Sequence, residues 1–164
     1  MVLPGTIALL GAYNVPWGST PLEVRGAYPA KKFRTLPNGD MMDEFAYDGA
    51  KHQYLLAFRS GRLWGIRVFV TDTAGNAGDI FGRLIRIKSK MSGEGKGTGE
   101  AECKGFRPFQ GVIWESDDTF EFMAQFQTKE RQIRMARLGR ESLSQNRRLC
   151  DLVPYLQEET WVHR

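Results

Sequence analysis

Tyr54-Leu-Leu-Ala-Phe-Arg-Ser-Gly-Arg-Leu-Trp-Gly-Ile-Arg-Val-Phe-Val70 reads as two strands joined by a tight turn. Tyr54, Leu56 and Phe58 alternate before Ser60-Gly61, and Trp64, Ile66, Val68 and Val70 alternate after it. Successive side chains of a strand point to opposite faces, so strict period two marks a half-buried antiparallel strand. A short glycine-containing link between two such runs marks a hairpin. Phe69 falls opposite the Trp64/Ile66/Val68 face. One of the two faces of this strand is therefore expected to expose apolar surface or to lie under a helix.

Upstream, Met41 to Tyr47 adds a third strand, and Asp48-Gly49 turns it into the hairpin. Before it, Thr20-Pro-Leu-Glu23 has the capping-box pattern, with Pro21 at the first helical position, where no amide partner is needed. Gly26 weakens this helix and Pro29 ends it. Leu22, Val24 and Tyr28 are its expected inward positions. The opening residues, Met1 to Leu10, read as a strand or strap.

Downstream, Asp79 is placed to cap a helix whose apolar stripe runs through Ile80, Leu84, Ile87 and Met91, flanked by Phe81 and Ile85. The glycine-rich run from Ser92 to Gly99 reads as a flexible loop. Strands are expected at Phe109–Glu115, Thr119–Gln127 and Gln132–Leu138, with turns at Asp117-Asp118 and Lys129-Glu130. The order helix, strand, strand, strand thus occurs twice, with Phe58 matching Phe126.

The expected fold is an α+β single domain over residues 1–164. Two helix–β-meander repeats, about 11–72 and 76–141, form an antiparallel sheet with helices on one face. A C-terminal helix and strap, 142–164, closes the chain, with Trp161 as its anchor.

At 164 residues, 26% charged and 41% hydrophobic, the composition is that of a globular chain rather than a disordered one. No apolar run approaches the roughly 20 residues that span a bilayer. The opening residues make a poor signal peptide, with no basic start and with Pro4 and Gly5 inside the apolar run. The expected location is cytoplasmic if Met1 is the native start, and periplasmic or secreted if a leader has been removed. Cys103 and Cys150 read as buried free thiols, with pairing in an oxidising compartment as the alternative.

The segment Pro16-Trp-Gly-Ser-Thr-Pro-Leu-Glu-Val24, followed by strands closing on Phe58-Arg-Ser-Gly-Arg-Leu-Trp-Gly-Ile66, is similar to a pattern in small bacterial envelope proteins. The doubled arrangement resembles the beta-lactamase-inhibitory protein architecture, and a single unit resembles the small lipoprotein of the outer-membrane assembly machine. The resemblance implies a non-catalytic, protein-binding sheet. No functional residue is carried over from it.

His52 and His163 stand apart, with no metal spacing around either. Asp43-Glu44 on a strand point to opposite faces, and Asp117-Asp118 serves a turn, so neither is an acid/base pair. The glycine-rich run lacks the phosphate-loop order. No catalytic residue, metal or cofactor is expected.

Two binding readings remain. The first is an accessory or assembly subunit that binds another protein through a sheet face and a basic, arginine-rich sheet edge, with Trp64, Phe69, Arg131, Arg134 and Arg137 as its contact residues, because Trp and Arg dominate interfaces. The second is a basic nucleic-acid-associated protein. The net charge is +4, and residues 129–149 carry seven Lys/Arg against two Glu. With Arg83, Arg86, Lys88 and Lys90 these could form one basic face that tracks phosphates.

Overall fold

The computed structural model describes residues 15–127, 132–140 and 148–157. The expected N-terminal strap, the Lys129-Glu130 turn, Arg131 and Trp161 lie outside those residues. Within them the chain forms an antiparallel sheet of eight strands with helices packed against it.

The decisive hairpin forms as its sequence dictates. Strand β3 (Ala50–Arg59) and β4 (Arg62–Thr71) are joined by Ser60 and Gly61, both at positive φ, 52° and 71°. Two positive-φ residues in succession match the right-handed twist of the flanking strands. Asp48 and Gly49 do the same, at 51° and 75°, between β2 (Met41–Tyr47) and β3. Helix α1 (Pro21–Ala27) carries the expected capping box, with Thr20 and Glu23 each accepting from the other's backbone amide. Only Val24 of this helix is fully buried. Leu22, expected inward, is 79% exposed. A seven-residue helix has room for one buried stripe, and Val24 and Tyr28 occupy it.

A two-residue strand, β1 (Arg34–Thr35), forms one sheet edge beside β2. After β4 comes helix α2 (Ala77–Ser92), which begins at Asn76 rather than at Asp79, so Asp79 sits in its first turn. Ile80, Phe81 and Leu84 are buried, whereas Met91 is 43% exposed. Part of the glycine-rich run, expected as a loop, is instead ordered as edge strand β5 (Lys96–Ala101). Then follow β6 (Phe109–Glu115), β7 (Thr119–Phe126) and β8 (Ile133–Gly139). A short helix, α3 (Leu149–Leu152), runs into a 3₁₀ turn over Val153–Leu156.

The strand order is β1-β2-β3-β4-β8-β7-β6-β5. Strand β8 therefore lies in the interior of the sheet, paired with β4 and β7. This overturns the expected arginine-rich edge, because the edges are β1 and β5.

One face of the sheet gathers Met41, Tyr54, Leu56, Ile66, Val68, Met123 and Met135 under Val24 of α1 and Ile80, Phe81 and Leu84 of α2. The other gathers Leu55, Phe109, Phe120, Phe122, Phe126, Ala136 and Leu138 under Leu152, Val153 and Leu156. Helical segments thus cover both faces rather than one. Phe109 packs with its ring centroid 5.9 Å from Phe122 and 5.4 Å from Phe126. Each buried ring contributes about 1.5–3 kcal/mol. Phe58 and Phe126, matched in sequence, belong to opposite faces.

A disulfide between Cys103 and Cys150, with Cα atoms 5.5 Å apart, ties the C-terminal segment to the second face. The two thiols expected to be free are thus paired. No helix among the described residues is long and apolar enough to cross a membrane.

Candidate functional site

At the end of the sheet where β3 turns into β4, three other chain segments converge. They are Pro16–Ser19, the β6–β7 turn with Asp117 and Asp118, and the end of β8 with Gly139 and Arg140. Antiparallel order brings these ends together: β4 leaves this end, β8 returns to it, and β7 starts from it. They enclose a cleft of about 500 Å³ lined by arginine, tryptophan and aspartate.

The floor is built by main-chain pairing. Gly18 N donates to the Leu63 carbonyl at 2.9 Å, and Leu63 N donates to the Ser19 carbonyl at 2.8 Å. Trp17 is thereby laid over Gly139, where an added Cβ would stand only 3.3 Å from the indole. Its indole N–H donates to Thr119 Oγ1 at 2.9 Å.

Trp64 reaches the cleft through a break in the register. The pairing of β3 with β4 shifts between Ala57, opposite Gly65, and Phe58, opposite Leu63. Trp64 is the extra residue, and a bulge turns a side chain to the other face. The expected alternation of Trp64 with Ile66, Val68 and Val70 therefore fails. Leu63 takes that face, and Trp64 packs with Leu55 and Ala57 on the opposite side. Its ring meets Tyr155 edge-on, with centroids 6.4 Å apart.

Three guanidinium groups line the cleft, Arg59 and Arg62 held by one contact each and Arg140 by two. Arg59 lies over the Trp64 ring at 4.6 Å. Arg62 Nη1 donates to the Gly18 carbonyl at 3.1 Å. Arg140 Nη1 donates to the Ser116 carbonyl at 2.8 Å, and its Nη2 stands 3.8 Å from the Glu115 carboxylate. Arg59 and Arg62 are direct cross-strand partners. Like charges directly opposite each other destabilise a strand pair. Among the described residues neither is ion-paired. Among the described residues the fold thus sets two cations without an ion-pair partner side by side in a concave site.

The residues singled out in the sequence are distributed differently. Phe69 is buried between two guanidinium groups, with Arg67 4.0 Å and Arg134 4.3 Å from its ring centre. Arg134 also donates to the Leu156 carbonyl at 3.0 Å, so it secures the C-terminal turn to the second face. Arg137 projects from the first face, 5.2 Å over Trp17 and 3.9 Å from Glu121. Arg134 and Arg137 are therefore on opposite sides of one internal strand and form no common face. Arg131 lies outside the described residues.

Lys88, expected on a basic outer face, is buried. Its ammonium pairs with Glu121 at 2.5 Å, with the side chains 4% and 9% exposed. Burial pushes its pKa down, and the Glu121 charge opposes that shift. His52 is buried as well, stacked on Phe45 at 5.5 Å, with Nε2–H donating to the Tyr47 carbonyl at 3.2 Å. Burial lowers its pKa, against the Tyr47 hydrogen bond and the nearby Asp48 charge. Asp43 and Glu44 are each engaged by a lysine, Lys31 and Lys51 respectively, both at 3.0 Å. Among the described residues no group of three or more His, Cys, Asp and Glu is placed to hold a metal ion.

Sequence reasoning missed Arg59, Arg62 and Arg140 as a group. The available signal was Arg59-Ser-Gly-Arg62, which puts two arginines across a two-residue turn; Arg140 is brought in only by strand order. Comparison with family models, curated proteins and solved structures gives no match to this chain.

Proposed function

We propose that the protein is a non-enzymatic binding module that docks on another protein through the arginine–tryptophan cleft, as an accessory or assembly subunit. The carrying observation is the cross-strand pair Arg59 and Arg62, without an ion-pair partner among the described residues and set beside Trp64 and Trp17 in a concave site. Arg and Trp are the residues that most often dominate protein–protein affinity, and they do so in concave, partly desolvated settings. The alternative reading, a nucleic-acid-associated protein, asked the β8 arginines to track phosphates. Their placement on opposite faces of an interior strand gives it little support.

Two further features fit this reading. The strand order is symmetric about the β4–β8 seam, and α1 and α2 share one face, as two tandem helix-plus-strands units related by a two-fold axis would require. This favours the tandem-repeat reading and the resemblance to the inhibitory-protein architecture. The Cys103–Cys150 bridge favours an oxidising compartment, because cytosolic reductants keep thiols reduced.

The test is affinity capture from the native source at near-physiological salt, with and without nuclease, comparing wild type with R59Q/R62Q. The expected result is a stoichiometric protein partner that the wild type retains and the variant loses, with unchanged circular dichroism. A partner retained equally by both removes the cleft from the interface. Recovery of nucleic acid instead of protein overturns the reading.

A further inference from the structure

We infer that the cleft is a carboxylate receptor: it takes an acidic side chain from an extended segment of the partner protein and holds it between Arg59 and Arg62. This rests on the binding-module reading and adds the chemistry of the partner.

The argument begins with what the two guanidinium groups have left to donate. A guanidinium carries five N–H donors in a planar fork that matches a carboxylate. Arg59 rests against the Trp64 ring, its guanidinium carbon 4.6 Å from the ring centre, a cation–π contact that does not neutralise its charge. Arg62 commits Nη1 to the Gly18 carbonyl. A neutral backbone acceptor orients the group without cancelling its charge. Both side chains are thus positioned before any ligand arrives, which lowers the ordering cost of binding. Their mutual repulsion is relieved when one anion sits between them.

The remainder of the lining selects the kind of anion. Asp117 and Asp118 bound the cleft beyond the end of β8, away from the β3–β4 hairpin. Asp118 also accepts hydrogen bonds from Ser116 and Thr119, which fixes its position. Two carboxylates on the same cleft repel a polyanionic backbone at every nucleotide that lies near them, whereas a single acidic side chain seated at the Arg59–Arg62 end brings one charge and meets far less of that repulsion. The aromatic lining, Trp17 and Trp64, suits a peptide's apolar neighbours. A volume of about 500 Å³ accommodates a few residues rather than a duplex.

The probe is the N-acetylated, C-amidated pentapeptide Ala-Leu-Glu-Leu-Ala, which carries one carboxylate, titrated into the oxidised protein and followed by intrinsic tryptophan fluorescence at low and near-physiological salt. Parallel arms use the same peptide with Gln in place of Glu, inorganic phosphate and a single-stranded oligothymidylate. The expected result is saturable one-to-one binding of the glutamate peptide, weakened at least tenfold in R59Q/R62Q, restored in part by R59K/R62K, and not matched by the glutamine peptide, phosphate or oligothymidylate. Binding that R59Q/R62Q leaves unchanged, equal binding of the glutamine peptide, or tighter binding of oligothymidylate through the same arginines, overturns it. The two readings fail separately. An arginine-dependent protein partner without glutamate-peptide binding sinks the carboxylate site alone, while glutamate-peptide binding with no captured protein upholds the carboxylate site and sinks the binding-module reading.

Discussion

Removing Glu121 tests how helix α2 is held to the sheet. Lys88 projects from α2 into a nearly dry pocket, where its ammonium meets the Glu121 carboxylate at 2.5 Å and lies 5.9 Å from the Trp114 ring. Arg137 stands 3.9 Å from the same carboxylate. In Glu121→Leu the ammonium keeps its desolvation cost, loses its counter-ion and faces Arg137. Breaking a buried pair in this way costs about 3–5 kcal/mol. Lys88→Met should cost less, about 1–3 kcal/mol, because Arg137 still compensates the carboxylate. The double variant K88M/E121L removes both buried charges and should lie within about 1 kcal/mol of wild type. Urea unfolding of the oxidised protein, followed by tryptophan fluorescence and far-UV circular dichroism, measures all four proteins. A double variant that loses the sum of the two single losses refutes the reasoning, since the groups would then not be coupled. The pH dependence of Glu121→Leu gives a second check. Its Lys88 pKa is depressed in the folded state only, so stability should rise as pH climbs toward the ordinary lysine value.

Two other outcomes follow from buried groups. His52 has its folded pKa lowered below 6.5 by burial, so the unfolded chain binds the proton more readily. Stability should therefore be fully present above that value and fall as pH drops through it, by up to about 1.4 kcal/mol per pH unit; His52→Gln should remove that slope, and an unchanged slope would assign it elsewhere. The Cys103–Cys150 bridge closes a sequence separation of 47 residues. Chain entropy puts its contribution at about 4 kcal/mol, so C103S/C150S should lower the denaturation midpoint, and reductant should do the same to wild type but not to the variant.

Much of the fold was legible in local sequence. Local pattern placed β2, β6 and β7 to within a residue or so and found the middles of β3 and β4, because side-chain alternation is a property of each strand's own backbone. Asp48-Gly49 and Ser60-Gly61 declared their turns through left-handed backbone that few residues tolerate. Thr20, Pro21 and Glu23 declared the start of α1 through hydrogen bonds that span three residues. The edge strand β5 was not legible. Its glycines carry no pattern, and its order comes from pairing with β6.

The candidate site was the less legible part. Nothing within β4 announces the bulge that sends Trp64 to the opposite face, since the extra residue exists only relative to β3. Strand β8 reads as an exposed basic edge until the sheet order encloses it between β4 and β7. Lys88 reads as a surface cation until Glu121, on a distant strand, supplies the charge that lets it be buried. The cysteines read as thiols until α3 brings Cys150 to Cys103. The sequence by itself determined which segments are strands, turns and helix starts, because those depend on backbone sterics and on neighbours a few residues away. Only the tertiary structure decided which arginines are buried, which are paired, and which two stand at the cleft without an ion-pair partner among the described residues. Those outcomes depend on pairing between segments far apart in the chain, chosen by the burial and charge they share.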